Sequence, residues 1–108
     1  MPSYPLLADV LQEFARELEA LLTAQSESEL ASQICGLKIV DRCRCGDDFC
    51  ATFYTQPKPK GSYGPNHKCV EVTPQEGMII LDVVDGKIMK IEVLFRDEIR
   101  HQLDVIQP

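Results

Sequence analysis

Met78-Ile79-Ile80-Leu81-Asp82-Val83-Val84-Asp85-Gly86-Lys87-Ile88-Met89-Lys90-Ile91-Glu92-Val93-Leu94-Phe95 decides the fold. Two apolar, β-branched runs flank Asp85-Gly86. Asp-Gly suits a two-residue type I′ turn, where both central residues take positive φ. The stretch therefore predicts a hairpin of Met78–Val84 and Lys87–Phe95. Counting back from the turn sets Val83 opposite Ile88, Leu81 opposite Lys90 and Ile79 opposite Glu92. The other face carries Met78, Ile80, Val84, Met89, Ile91, Val93 and Phe95, interrupted by Asp82 and Lys87. Both faces are partly apolar, so both are expected to be partly covered. Lys90 and Glu92 interrupt one face and are expected where that face meets water.

Upstream, Lys68–Thr73 reads as a third strand, joined to the hairpin by the Thr73-Pro74-Gln75-Glu76-Gly77 turn. Leu37–Cys45 and Cys50–Thr55 read as two more strands around Gly46-Asp47-Asp48-Phe49. A turn centred on Asp47-Asp48 pairs Cys45 with Cys50 and Cys43 with Thr52. Residues 56–67, with three prolines and two glycines, form a long exposed loop.

The flanks are helical. Leu7, Val10, Leu11, Phe14, Leu18, Leu21 and Leu22 recur at helical spacing, giving one amphipathic helix over 6–24. Ser26-Glu27-Ser28-Glu29 reads as a capping box opening a short helix over 27–35, stopped by Gly36. Asp97 caps a last helix over 97–106, with Ile99, Leu103 and Ile106 inward. Two helices, a bunch of about five short-linked strands and a closing helix mean an α+β fold with an antiparallel sheet. At 108 residues the chain is one domain, 1–108, with its long first helix lying across a sheet face.

The composition, 44% hydrophobic and 26% charged, excludes disorder, collagen and coiled-coil classes. No run approaches the ~20 apolar residues that span a bilayer, so no membrane role is expected. The net charge of -6 makes nucleic acid an unpromising partner. Charge is uneven: residues 38–68 carry six bases against three acids. Met1–Leu7 lacks the basic start of a secretory signal, which predicts a cytoplasmic protein with reduced thiols.

Within the basic third, Cys43-Arg44-Cys45-Gly46-Asp47-Asp48-Phe49-Cys50 is the unusual run. Free cysteine behaves as a small hydrophobe, so the plain expectation is buried core thiols. The functional alternative is zinc, which takes four S or N ligands. Cys43, Cys45 and Cys50 share one face if the turn is as drawn, and Cys69 or His67 supplies the fourth ligand. A turn at Gly46 is needed to draw the C-x-C pair in, because same-face strand neighbours stand about 6.5–7 Å apart. A thiol-dependent enzyme is the third reading, but no C-x-x-C motif is present.

Lys58, Lys60, Tyr63, His67 and Lys68 make a basic, aromatic loop suited to gripping an anion or single-stranded nucleic acid. Its plain reading is an exposed, solubilising loop. Asp97 and His101, four apart on the last helix, read as a solvated pair. The sequence contains no P-loop, dinucleotide fingerprint, nucleophile elbow or HExxH.

The Gly77–Leu94 hairpin resembles the closing hairpin of a small bacterial family of unknown function. With its Cys-x-Cys-Gly-Asp-Asp-Phe-Cys run, the whole pattern is also similar to short uncharacterised bacterial proteins. Neither resemblance implies an activity. The residues themselves therefore predict a non-enzymatic protein-interaction or regulatory module, acting on a protein partner or by self-association. A zinc-stabilised domain is the first alternative and a thiol enzyme the second.

Overall fold

A computed structural model describes residues 4–106; residues 1–3, part of the stretch read for a leader, and 107–108 lie outside the described residues. The hairpin forms as its sequence dictates. Strand β4 (Met78–Val84) and strand β5 (Lys87–Leu94) are antiparallel, and Asp85 and Gly86 take φ of 52° and 79°. Val83 faces Ile88 as expected. Beyond that pair the register departs by one residue. Asp82 faces Lys90, Leu81 faces Ile91, Ile80 faces Glu92 and Ile79 faces Val93.

Met89 is the extra residue, and the cause lies in the burial pattern. Ile88, Ile91 and Val93 are all buried, yet 88 and 91 fall on opposite faces of an unbroken strand. A bulge at Met89 rephases the strand so that all three reach the core. The neighbouring strand fixes it. Thr55 N–H donates to the Met89 carbonyl at 3.0 Å, and the Thr55 hydroxyl donates to the Ile88 carbonyl at 2.8 Å.

Strands β1 (Asp41–Arg42), β2 (Phe53–Tyr54) and β3 (His67–Val72) complete a five-stranded antiparallel sheet, ordered β1-β2-β5-β4-β3. Asp41 faces Tyr54 and Arg42 faces Phe53, and Cys43 N–H continues the ladder to the Thr52 carbonyl at 2.9 Å. That is the register read from the Asp47-Asp48 turn. The regular strands are shorter than expected, because the chain turns away after Arg42 and Cys50 makes only an isolated bridge to Leu94. β3 begins at His67, which therefore belongs to the sheet rather than to the loop.

One face of the sheet is the core. Phe53, Ile91, Val93, Leu81, Ile79, Val83, Val70 and Val72 point into it. Helices α1 (Leu7–Val10) and α2 (Gln12–Ala24) lie over that face with their apolar stripe of Leu7, Leu11, Phe14, Leu18 and Leu22, and Phe14 meets the Phe53 ring edge-on at 6.2 Å. The expected single helix kinks at Leu11, with φ -131° and ψ 58°. Its first turn is aimed by pairing with the segment after Gly36: Leu7 N–H donates to the Leu37 carbonyl and Ile39 N–H to the Pro5 carbonyl. Ile99 and Leu103 of α4 (Asp97–Ile106) join the same core.

The capping box does not form. Ser26 takes φ 64° as the left-handed residue ending α2, with Glu27 N–H donating to Leu22 and Ser26 N–H to Thr23. This double closure commits Ser26 to the preceding helix. The short second helix is accordingly reduced to α3 (Ser28–Ala31) and a 3-10 turn at Ile34–Gly36, and Gly36 closes it without positive φ.

Arg96, next to α4, is 8% exposed. It grips Glu17 of α2 through two nitrogens at 2.7 and 3.0 Å, and Glu98 at 2.8 Å. The Glu17 carboxylate above all, and Glu98 after it, make the Arg96 guanidinium hold its proton more firmly than usual, against the cost of burial. Among the described residues no helix is long and apolar enough to cross a membrane.

Candidate functional site

The cysteines overturn the core-thiol expectation. All five are free and none is buried; Cys43 and Cys50 are half-buried, and Cys35, Cys45 and Cys69 are exposed. The core cluster closes on aliphatic and aromatic side chains and alanine without them. Cysteine's average preference loses here to local chemistry, since Gly46-Asp47-Asp48 demands a surface turn.

That turn brings Cys43, Cys45 and Cys50 together. Gly46 takes φ 82°, and Cys50 N–H donates back to the Asp47 carbonyl at 3.2 Å, so the chain doubles back within eight residues. The three sulfurs lie within 4.8 Å of one another. A tetrahedral zinc with Zn–S near 2.3 Å wants them about 3.8 Å apart, so at most about 1 Å of side-chain movement closes the set. The sulfurs open onto a cavity of about 370 Å³, also lined by Asp47, Asp48 and Arg100. Arg42 carries the segment and pairs with Asp104, pinning the cysteine turn to α4.

The trio is electrostatically unequal. Burial alone raises Cys50, but hydrogen bonds from the Thr52 hydroxyl and N–H and from the other two thiols hold it below an ordinary thiol. At Cys45 the Asp47 N–H pulls the other way, yet the Cys43 and Cys50 thiols and partial desolvation prevail and push it up to about 11. One thiolate thus forms first and its neighbours resist a second charge. A bound cation removes that repulsion.

Cys69 and His67 do not join this group. They sit on β3, four strand spacings from β1, or about 19 Å. On the sheet face away from α2, the bulge at Met89 lines up Cys69, Asp82, Lys90, Tyr54 and Asp41 as successive cross-strand neighbours. Asp82 is 3% exposed and is the centre of a polar cluster. Its Oδ1 lies 2.7 Å from His67 Nε2 and 3.6 Å from Cys69 Sγ. Its Oδ2 lies 3.6 Å from Lys90 Nζ. Lys90 also reaches Glu92 at 3.9 Å. The long loop folds over this row: Tyr63 lies 5.0 Å from the His67 ring and 6.0 Å from Lys90, and Lys58 lies 5.2 Å above Tyr54.

The loop residues read as one anion-gripping set are therefore divided. Tyr63 and His67 turn onto the sheet, whereas Lys58, Lys60 and Lys68 are exposed. Lys90 and Glu92 are half-buried beneath the loop rather than at the water boundary. A proton shared with Asp82 is the largest cause raising Glu92 to about 7. Cys69 is raised by desolvation and by the Asp82 charge, so its thiol keeps its proton. The same His67 nitrogen faces both Asp82 and Cys69, at 2.7 and 3.9 Å. A nucleophilic triad needs the two partners on different ring nitrogens. His101 is exposed, and Asp97 pairs with Arg100 at 3.9 Å instead.

Asp82 and Arg96 are the residues sequence reasoning underused. Asp82 was visible as a lone charge in an apolar run, which signals either an edge or a buried partner. Its partners depend on the bulge.

The class defined so far is a two-layer α+β domain with a surface thiol trio. No family model, curated protein or solved structure matches the chain.

Proposed function

We propose that the protein is a metal-binding domain that holds a thiophilic divalent cation, zinc by its ligand chemistry, on Cys43, Cys45 and Cys50. The observation that carries this reading is the convergence of three sulfurs within 4.8 Å at the surface. Thiolates select zinc over magnesium or calcium. Three chain ligands leave one coordination position, directed to the cavity beside Asp47, Asp48 and Arg100. Closed four-ligand sites are structural, whereas three ligands and an open position suit exchange or completion by another molecule.

Native mass spectrometry of the reduced protein with added zinc tests it. Serine substitution at Cys45, an exposed position, is expected to remove one zinc per chain with the fold intact by circular dichroism. A zinc stoichiometry unchanged in Cys43→Ser, Cys45→Ser and Cys50→Ser would refute the reading.

A second reading, the protein-interaction module, draws on a patch beside the same turn. Phe49 stacks on Phe95 at 5.3 Å, Phe95 is 60% exposed with φ 62°, and Met78 is 40% exposed. Exposed stacked aromatics on a strained backbone favour a binding role. The readings are compatible, since a partner docked there lies close enough to supply the fourth ligand. Concentration-dependent sedimentation with Phe95→Ser compared to the parent reads self-association through the patch.

A further inference from the structure

His67, Cys69 and Asp82 form a second constellation, independent of the cysteine turn. Their ligand atoms, one nitrogen, one sulfur and one oxygen, lie within 4.8 Å of one another. The separations are 2.7 Å for His67 Nε2 to Asp82 Oδ1, 3.6 Å for Cys69 Sγ to Asp82 Oδ1 and 3.9 Å for Cys69 Sγ to His67 Nε2. Ligands on a tetrahedral zinc stand about 3.3–3.8 Å apart, given bonds of about 2.0–2.3 Å. The Cys69–Asp82 separation already fits, and the Cys69–His67 separation exceeds the range by about 0.1 Å. The third is closed by the hydrogen bond that a metal replaces, and opens by about 0.6 Å.

One buried polar atom beside the cluster, the Tyr63 hydroxyl, has no hydrogen-bond partner. Buried polar groups are almost always satisfied, so this orphan needs a reason. Asp82, 3% exposed, is held from its other side by Lys90 and by the proton shared with Glu92. The surroundings are those of a supported metal site. Lys90, 3.6 Å from Oδ2, orients the far oxygen of the Asp82 carboxylate. Metal ligands are normally held by such outer contacts. The exposed Cys69 lies on the edge strand β3, which gives access from solvent.

We propose that His67 Nε2, Cys69 Sγ and Asp82 Oδ1 form a second site for a borderline divalent cation such as zinc, under the Tyr63 loop. Three chain ligands leave the remaining position on the side of that loop, where the Tyr63 hydroxyl finds its partner in a metal-bound water. Binding at His67 Nε2 needs the tautomer with its proton on Nδ1, and binding at Cys69 displaces the thiol proton, so affinity rises with pH. The site does not depend on the cysteine turn: Cys50 bridges Leu94 of β5, whereas His67 and Cys69 lie on the edge strand β3 beyond β4.

Zinc alone, added to the reduced full chain, separates the two sites by native mass spectrometry. The parent is expected to bind two zinc ions. Cys69→Ser and Asp82→Asn are each expected to bind one, as is the Cys43→Ser, Cys45→Ser, Cys50→Ser triple variant. Combining the triple variant with Cys69→Ser is expected to abolish binding. One zinc in the parent that survives Cys69→Ser and is lost in the triple variant overturns the second site and leaves the first. One zinc lost in Cys69→Ser and retained in the triple variant supports the second site and overturns the first. One zinc removed by either change overturns two separate sites. Cys69→Ser, at an exposed position, guards against loss of fold in Asp82→Asn. With cobalt as probe, the triple variant is expected to keep a single-thiolate charge-transfer band that Cys69→Ser removes; a spectrum insensitive to Cys69 overturns the proposal.

Discussion

Replacing Arg96 by alanine removes a cation that joins α2, α4 and the turn before β4. Its guanidinium makes a fork of two bonds to Glu17, at 2.7 and 3.0 Å, one bond to Glu98 at 2.8 Å and a long contact to the Glu76 carbonyl at 3.4 Å. Hydrogen bonds to charged groups contribute roughly 1.5–3 kcal/mol each. The Glu98 side chain is 57% exposed, so that bond falls to below about 1 kcal/mol. Glu17 is 29% exposed and regains water when Arg96 is lost, which discounts the fork. The net expected cost is about 3 kcal/mol. For a domain this size that lowers the melting temperature by roughly 12–24 °C.

A double-mutant cycle is the assay, by urea unfolding of Arg96→Ala, Glu17→Ala and Glu98→Ala with the two doubles. Coupling to Glu17 should be about 1.5–2.5 kcal/mol and coupling to Glu98 below about 0.7. Arg96→Lys should fall between parent and alanine, because a point charge cannot fork. Equal couplings, or a total Arg96→Ala cost below about 1 kcal/mol, would refute the reasoning from burial.

Two further predictions rest on backbone and charge. A Cβ on Gly77, at φ 74°, meets the Leu94 carbonyl oxygen at 2.4 Å and Arg96 Cγ at 2.8 Å, whereas Gly86, at φ 79°, has open space around it. Gly86→Ala costs only the left-handed conformation, about 1 kcal/mol, while Gly77→Ala should cost at least about twice that; equal melting temperatures for the two variants would contradict this. Glu92, which shares a proton with Asp82 and feels the charges of Lys90, His67, Tyr63 and Cys69, has its pKa raised to about 7 from 4.5. The folded state then binds more protons than the unfolded between those values, so stability is full below pH 4.5 and is lost as pH rises to about 7. With Glu92 about a third exposed, solvent screening leaves a drop of about 1 kcal/mol. In metal-free protein, urea midpoints from pH 4.5 to 7.5 should show this fall, and Glu92→Gln should flatten it; a parent stability rising over that range rejects the shared proton.

The hairpin was legible because Asp85-Gly86 fixes its own dihedrals, and the β1–β2 register because Asp47-Asp48 centres its turn. The bulge was not, although its trace is in the sequence: apolar positions 88, 91 and 93 include a gap of three where a strand expects two. Choosing the bulge over a mixed face needs Thr55, which reaches Met89 only once β2 is in place. Ser26 illustrates a different limit. The same residue suits the end of one helix and the start of the next, and only the closure onto Leu22 and Thr23 decides between them. The candidate metal ligands were legible by type but not by grouping. Four cysteines and His67 fall within 27 residues of chain, yet strand order carries them to opposite sides of the sheet.

That separation changes what metal does to the fold. All three ligands of the cysteine turn lie within eight residues, so an unfolded chain keeps much of their affinity. Metal binding to the unfolded state reduces the stabilisation that binding confers. The second constellation is different, because Asp82 meets His67 and Cys69 only through the β3–β4 pairing. A metal held there would be bound by the folded sheet alone and would add to folding free energy in full. Zinc should therefore raise the melting temperature chiefly through His67, Cys69 and Asp82. The cysteine turn should bind zinc with little thermal signature, and melting that responds to zinc through the turn alone would reverse this assignment.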